Sequence, residues 1–272
     1  MAMANTEIAA KYGPWALITG ASEGTGSAFA HRLVDAGVKV ILVARREGPL
    51  AKLADEIKAK GGECVTASID LSATDAADRI VAAAGDREVG LLITNAGADP
   101  NGSMFLDNDL TNWDALVTMN VNTTMRLAHH FGQGMKARKR GGMILVGSGA
   151  CYGGLSGIAA YCASKAFVLA FAEGLWAELR HFNVDVLNLV LGRTDTPAHR
   201  KILEESGQAI PTDMAMPDEV AEIGLRQLPH GPIWNWGQPN DVAGMAPNSP
   251  DDRRAKIVMI EEMSAAYTSR KS

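Results

Sequence analysis

Apolar runs recur along the chain at 15–19, 38–43, 64–69, 89–93, 143–146 and 184–190. Each is nearly continuous rather than alternating, the pattern of strands covered on both faces. Between and beyond them lie stretches of helical character, at 27–36, 49–60, 111–139, 158–182 and 218–228, with a last helix expected at 250–267. This succession of strands and helices predicts an α/β fold: one doubly wound parallel sheet of about seven strands, flanked by helices on both faces. In such sheets the ligand cleft lies beyond the carboxyl ends of the strands. No internal repeat or long Gly/Ser/Pro linker divides the 272 residues, so a single domain over 1–272 is expected.

The first run, Trp15 to Thr19, breaks into a turn carrying Gly20, Ser22, Glu23, Gly24, Thr25 and Gly26 before a helix begins. Glycines let the backbone turn tightly and approach a pyrophosphate, and the helix amino terminus offers unpaired N–H groups to the anion. The second run ends in Arg45 and Arg46, where an NAD-binding chain would carry an acid for the ribose 2'-hydroxyl. Two guanidiniums suit a 2'-phosphate instead, which points to NADP(H). The alternative is a solvated pair opening the next helix, and Glu23 in the turn tempers the preference.

The 143–146 run closes at Ser148, with Tyr161 thirteen residues on and Lys165 four further. Ala, Leu, Phe and Glu without Pro favour a helix through 158–182, which stacks Tyr161 and Lys165 one turn apart on the same face. A phenol loses its proton near pH ~10, so acid–base work at neutral pH calls for a fixed cation that favours the phenolate. Lys165 is placed to supply one, and the Ser148 hydroxyl would project at the ligand-binding edge of the sheet. A core tyrosine beside a solvated lysine is the plainer reading of the pair alone. The serine, the pair and the glycine turn together resemble the short-chain dehydrogenase/reductase family over roughly residues 14–200.

That resemblance implies a strand order 3-2-1-4-5-6-7, with a dinucleotide-binding half at 14–140 and a catalytic and substrate part at 141–272. By it, Tyr161 is the general acid/base and Ser148 orients the carbonyl oxygen. Lys165 lowers the phenol's pKa and bonds the nicotinamide ribose, while Asn120 perturbs its helix and holds a water linked to the lysine. Asp70 and Leu71 would meet the adenine, and Asn95, Ala96 and Gly97 the adenosine ribose side. Gly192, Thr194 and Thr196 would hold the nicotinamide carboxamide. Thr94 and Leu191 depart from the family's usual Asn and Pro. The function implied is NADP(H)-dependent hydride transfer between the nicotinamide and a carbonyl or secondary alcohol. A catalytically silent NADPH-binding sensor or partner-binding module on the same fold is the alternative.

Composition narrows partners more than chemistry. A net charge of -5 gives no general attraction to nucleic acid, and no apolar run approaches the ~20 residues that span a bilayer. Cys64, Cys151 and Cys162 fit neither a metal-ligand spacing nor a disulfide framework, and no signal segment opens the chain, so no metal and a cytoplasmic location are expected. Residues 193–216 read as a lid. Met214, Met216, Leu203, Gly153 and Gly154 suggest an apolar pocket for a hydrophobic ketone or aldehyde, with Arg193 the one candidate to grip a carboxylate. The stretch from Ala166 to Ala172 is apolar on every face of its helix, which predicts a homodimer or homotetramer. The competing cover is the carboxy-terminal segment with Trp234 and Trp236, which could equally shape the pocket.

Overall fold

The structure, a computed structural model, describes residues 5–236 apart from 98, 100, 206 and 208, together with 251, 254 and 258. It opens with a helix, α1 (Asn5–Tyr12), that the sequence pattern did not announce, followed by β1 (Trp15–Thr19), α2 (Gly24–Asp35) and β2 (Lys39–Ala44). Then come α3 (Glu47–Ala59), β3 (Cys64–Ser68), α4 (Ala76–Ala84) and β4 (Val89–Thr94). The expected long helix after β4 is interrupted: α5 (Leu110–Val117) passes through a π-helical turn, Thr118–Asn122, into α6 (Thr123–Arg138). The second half runs β5 (Gly141–Ser148), α7 (Ala159–Leu179), β6 (Val184–Leu191), α8 (Pro197–Glu205), α9 (Pro217–Gln227) and β7 (Ile233–Trp236).

All pairings are parallel and the order is β3-β2-β1-β4-β5-β6-β7. Successive strand residues point to opposite faces, which sorts most of the core into two clusters, with a small third one of Cys151, Leu169, Val190 and Ile233. Ile18, Leu42, Ile93, Ile144 and Leu187 face α2, α3 and α9 through Phe29, Leu33, Leu53 and Val220. Their neighbours Leu17, Ile41, Leu92, Met143 and Val186 face α4, α6 and α7 through Ile80, Leu127, Phe131, Val168 and Ala172.

The apolar patch at 233–236 is the seventh strand, paired with β6 from Asn188 to Leu191. Trp234 packs half-buried on the α2 and α9 side, while Ile233 packs with Leu169 of α7 and Arg254 lies over the Trp176 ring of the same helix. The expected helix at 250–267 lies largely outside the described residues, of which 251, 254 and 258 are helical. Phe167 and Phe171, the large side chains of the stretch that is apolar all round, are turned inward within the chain. They stack at 5.4 Å and lie half-buried against the second cluster, leaving Ala163, Ala166, Ala170 and Gly174 outermost. No helix among the described residues is long and apolar enough to cross a membrane.

Candidate active site

A cleft of about 670 Å3 opens beyond the carboxyl ends of the strands. One wall is the turn after β1, with Gly20, Ser22, Glu23, Gly24 and Thr25, and the other carries Ser148, Tyr161 and Lys165. Asn95, Ala96 and Gly97 line it from the end of β4, and Gly192, Thr194 and Thr196 from the turn after β6.

The turn requires its glycines. Gly20 and Gly24 have φ of +65° and +57°, the left-handed region that disfavours a side chain. Gly26 lies beneath, where a Cβ would stand 2.2 Å from the Gly20 carbonyl oxygen and 2.8 Å from Asn95 Nδ2. Asn95 Nδ2 in turn donates to that carbonyl at 3.1 Å, pinning the turn to the end of β4. The Glu23 side chain makes no capping bond to α2, so the first N–H groups of that helix are not satisfied by it. Instead its carboxylate pairs with Arg46, which explains an acid in a turn expected to favour a base. Arg45 stands 4.0 Å from Asp70 Oδ2 and is largely exposed. Asp70 accepts from Ser72 N and Ser72 Oγ, and these bonds, the backbone one foremost, hold its carboxyl below the usual range. Leu71 is buried, and its carbonyl accepts from Thr123 Oγ1 at 3.0 Å.

On the opposite wall, Ser148 ends β5 and Tyr161 lies in the first turn of α7. Burial pushes the Tyr161 phenol up, the Ser148 hydroxyl draws it back, and Asp99, with the neighbouring Cys162 and Cys151, raises it further. The expected lowering by Lys165 is therefore not met. That ammonium stands 5.6 Å from the phenol's ring centroid and donates to the Val146 carbonyl at 3.1 Å. Burial pushes Lys165 itself down to about 8. Asn120 is buried within the π-helical turn, and its Nδ2 donates to Ser164 Oγ at 3.1 Å. A Cβ at Gly97 would stand 2.7 Å from Lys165 Nζ and 3.1 Å from Asn120 Oδ1, so both groups converge on one bare stretch of backbone.

The residues fit a dinucleotide. A glycine turn feeds a helix amino terminus, two guanidiniums lie near Glu23 and Asp70, and Thr194 Oγ1 is buried without a hydrogen-bond partner among the described residues. That hydroxyl needs a partner of the kind a carboxamide offers.

The expected pocket residues are only partly in place. Leu203 is buried, Met216 is half exposed, and neither Met214, Gly153 nor Gly154 lines the cleft. The first turns of α8 instead present Pro197, Ala198, His199 and Ile202, since a helix that buries Leu203 turns its neighbour the other way. Arg193 pairs with Asp213 at 3.8 Å and lies outside the lining. Asp99 and His199 were missed. The only signal for Asp99 was its position just past a strand end at the ligand edge.

The short chain dehydrogenase family model matches residues 14–207. A 7beta-hydroxysteroid dehydrogenase of Clostridium sardiniense is 33% identical over 254 residues, 93% of this chain and 96% of that protein. A solved structure of a 7beta-hydroxysteroid dehydrogenase, studied for its stereoselectivity, superposes with a TM-score of 0.81 at 29% identity, over 92% of this chain and 99% of that one. A short-chain dehydrogenase from Sphingobium yanoikuyae in complex with NADPH does so with a TM-score of 0.75 at 25% identity, over 94% and 95%. The chain thus belongs to the short-chain dehydrogenase/reductase family. It is an NAD(P)-dependent oxidoreductase of that family, acting between CH–OH and C=O groups.

Proposed function

We propose that the protein transfers hydride between NADP(H) and a hydrophobic ketone, aldehyde or secondary alcohol, with Tyr161 as general acid/base. The observation that carries this reading is that Ser148, Tyr161 and Lys165 face a glycine turn across one cleft. Bound there, the nicotinamide would supply or accept the hydride. The phenol, raised by burial, holds its proton at neutral pH and so begins a reduction as the acid the carbonyl oxygen needs. Ser148 holds that oxygen beside it, where hydrogen bonds count most as charge develops. Lys165 gives one N–H to Val146 and keeps two donors for the ribose hydroxyls, with Asn120 linking it to solvent through water.

For the cofactor, Gly20, Ser22, Glu23, Gly24, Thr25 and Gly26 with the start of α2 would hold the diphosphate. Asp70, Leu71, Asn95, Ala96 and Gly97 would hold the adenosine, and Gly192, Thr194 and Thr196 the carboxamide. Arg45 and Arg46 would take the 2'-phosphate, and the NADPH-bound relative supports that choice. Both guanidiniums are more than half exposed and already near carboxylates, which tempers their effect to about tenfold in affinity. Ile158, Leu191, Ala198 and Ile202 give the substrate side an apolar lining.

The same reading makes the protein a cytoplasmic homodimer or homotetramer. Its three cysteines are all free, as a reducing compartment favours. The small outer face of α7 and the exposed Leu110, Val117 and Met125 of α5 and α6 suit helix packing between subunits. Light scattering should give a multiple of 28.8 kDa, and a monomer would contradict this part. The function itself is tested by following NADPH and NADH oxidation across a panel of neutral carbonyl compounds. Turnover with NADPH preferred is expected, and no turnover of any of them would contradict it.

A further inference from the structure

Among the described residues two carboxylates line the cleft, Glu23 and Asp99, and they differ in how their charge is met. Glu23 is paired with Arg46. Asp99 has no ion pair among the described residues. Its Oδ1 accepts from the backbone N–H groups of Asn101 at 2.9 Å and Gly102 at 3.3 Å, while Oδ2 is buried without a hydrogen-bond partner among those residues. Two amide dipoles orient the group but do not cancel a full charge. Of the nearby cations, Lys165 donates to the neutral Val146 carbonyl and keeps its charge within the cleft, and Arg193 pairs with Asp213 outside the lining.

We infer that Asp99 is the specificity-determining residue for substrate charge: its carboxylate selects neutral or cationic carbonyl compounds and rejects those carrying a carboxylate close to the reacting carbon. The inference rests on the reading of this cleft as a carbonyl-reducing site, and it goes beyond the apolar lining, which alone would not discriminate by sign. Charge repulsion acts across the cleft without direct contact, and specificity built from such a mismatch is read as a ratio between substrates. Asp99 also raises the Tyr161 phenol, which places its field at the reacting group. The other groups acting on that phenol are Ser148, Cys162 and Cys151, with Lys165 at 5.6 Å from the ring centroid.

The test uses full-length enzyme saturated with NADPH and three compounds on one skeleton: methyl phenylglyoxylate, phenylglyoxylate and phenacyltrimethylammonium. In Asp99→Asn the side-chain oxygen still accepts from Asn101 and Gly102, so the loop is retained while the charge is lost. Asp99→Ser, also able to accept from the following backbone, is the second variant, and melting midpoints report that both are folded. We expect the ratio of phenylglyoxylate to ester in kcat/KM to rise about tenfold in both variants, and the ratio of cation to ester to fall similarly. The pH of half-maximal alcohol oxidation should also fall, because an anion beside Tyr161 has been removed. Dissociation constants for the three compounds give the same ratios whether or not they are reduced. Unchanged ratios in both variants would overturn the inference, whereas failure of the wild type to reduce the ester would count against the proposed function instead.

Discussion

The ammonium of Lys165 donates to the carbonyl of Val146 at 3.1 Å, tying α7 to the strand that presents Ser148 two residues later. Burial of this ammonium pushes its pKa down to about 8, against about 10.4 in an unfolded chain. Between those values the unfolded state binds more protons than the folded one, so this group makes stability rise with pH across that window. Its burial cost is fully present below pH ~8. The difference in urea unfolding free energy between wild type and Lys165→Met should therefore be flat from pH 5 to 7 and change in favour of wild type towards pH ~10. A flat difference throughout would show that Lys165 ionises as it does in water.

Gly97→Ala probes the convergence of Lys165 and Asn120. The added methyl meets Nζ at 2.7 Å, so the ammonium must move or the backbone must. Displacement by a few tenths of an ångström or more at a reacting site should lower kcat/KM by about 10²-fold with the melting point little changed. Gly153→Ala, which meets nothing within 4 Å, is the matched control and should retain full activity. Equal activities in the two variants would separate Gly97 from the chemistry.

Gly26→Ala should act on cofactor binding. Its Cβ would stand 2.2 Å from the Gly20 carbonyl, an atom of backbone held by Asn95, so the turn itself must deform. The dissociation constant for NADPH, measured by fluorescence titration, should rise by at least about tenfold. Wild-type affinity would mean that the turn is not where the dinucleotide sits.

At the other end of the strands, the fully buried Tyr12 donates its hydroxyl to Asp185 Oδ2 at 2.6 Å, and Lys11 pairs with the same carboxylate. Burial above all, then the charge of Asp185 and this hydrogen bond, push the phenol far above its ordinary value. Tyr12→Phe removes a buried bond to a charged group and should cost about 1.5–3 kcal/mol in urea unfolding. Its kcat/KM should be unchanged, since the ring packs against Gly142 at the start of β5, far along the strand from Ser148. A loss of activity without a loss of stability would contradict this division of labour.

What could be read from sequence follows what local chemistry fixes. Continuous apolar runs such as 15–19 and 184–190 mark two-sided burial, and the glycine turn, Ser148, Tyr161 and Lys165 carry their geometry in their spacing. The cleft indeed gathers those residues. Less legible were features set by tertiary contacts. The polar and apolar mixture of α1 gains its place through Ile8 and Tyr12, which pack on residues far along the chain. A four-residue strand such as β7 is defined by pairing with Asn188 to Leu191 rather than by its own pattern. Which side of α8 faces the cleft depended on Leu203 being buried, a choice that 199–216 did not announce. The upward shift of Tyr161 is set first by burial, which depends on how the chain packs around the ring.

The central claim, that Tyr161 moves the proton in a carbonyl reduction at this cleft, is tested most directly by single-turnover oxidation of bound NADPH in wild type and Tyr161→Phe with the best neutral ketone of the panel. The substitution removes one oxygen from a half-buried ring, so NADPH should bind with unchanged affinity while the chemical step slows by about 10²-fold to 10⁴-fold. A Tyr161→Phe variant that binds NADPH and reduces the ketone at the wild-type rate would contradict the account.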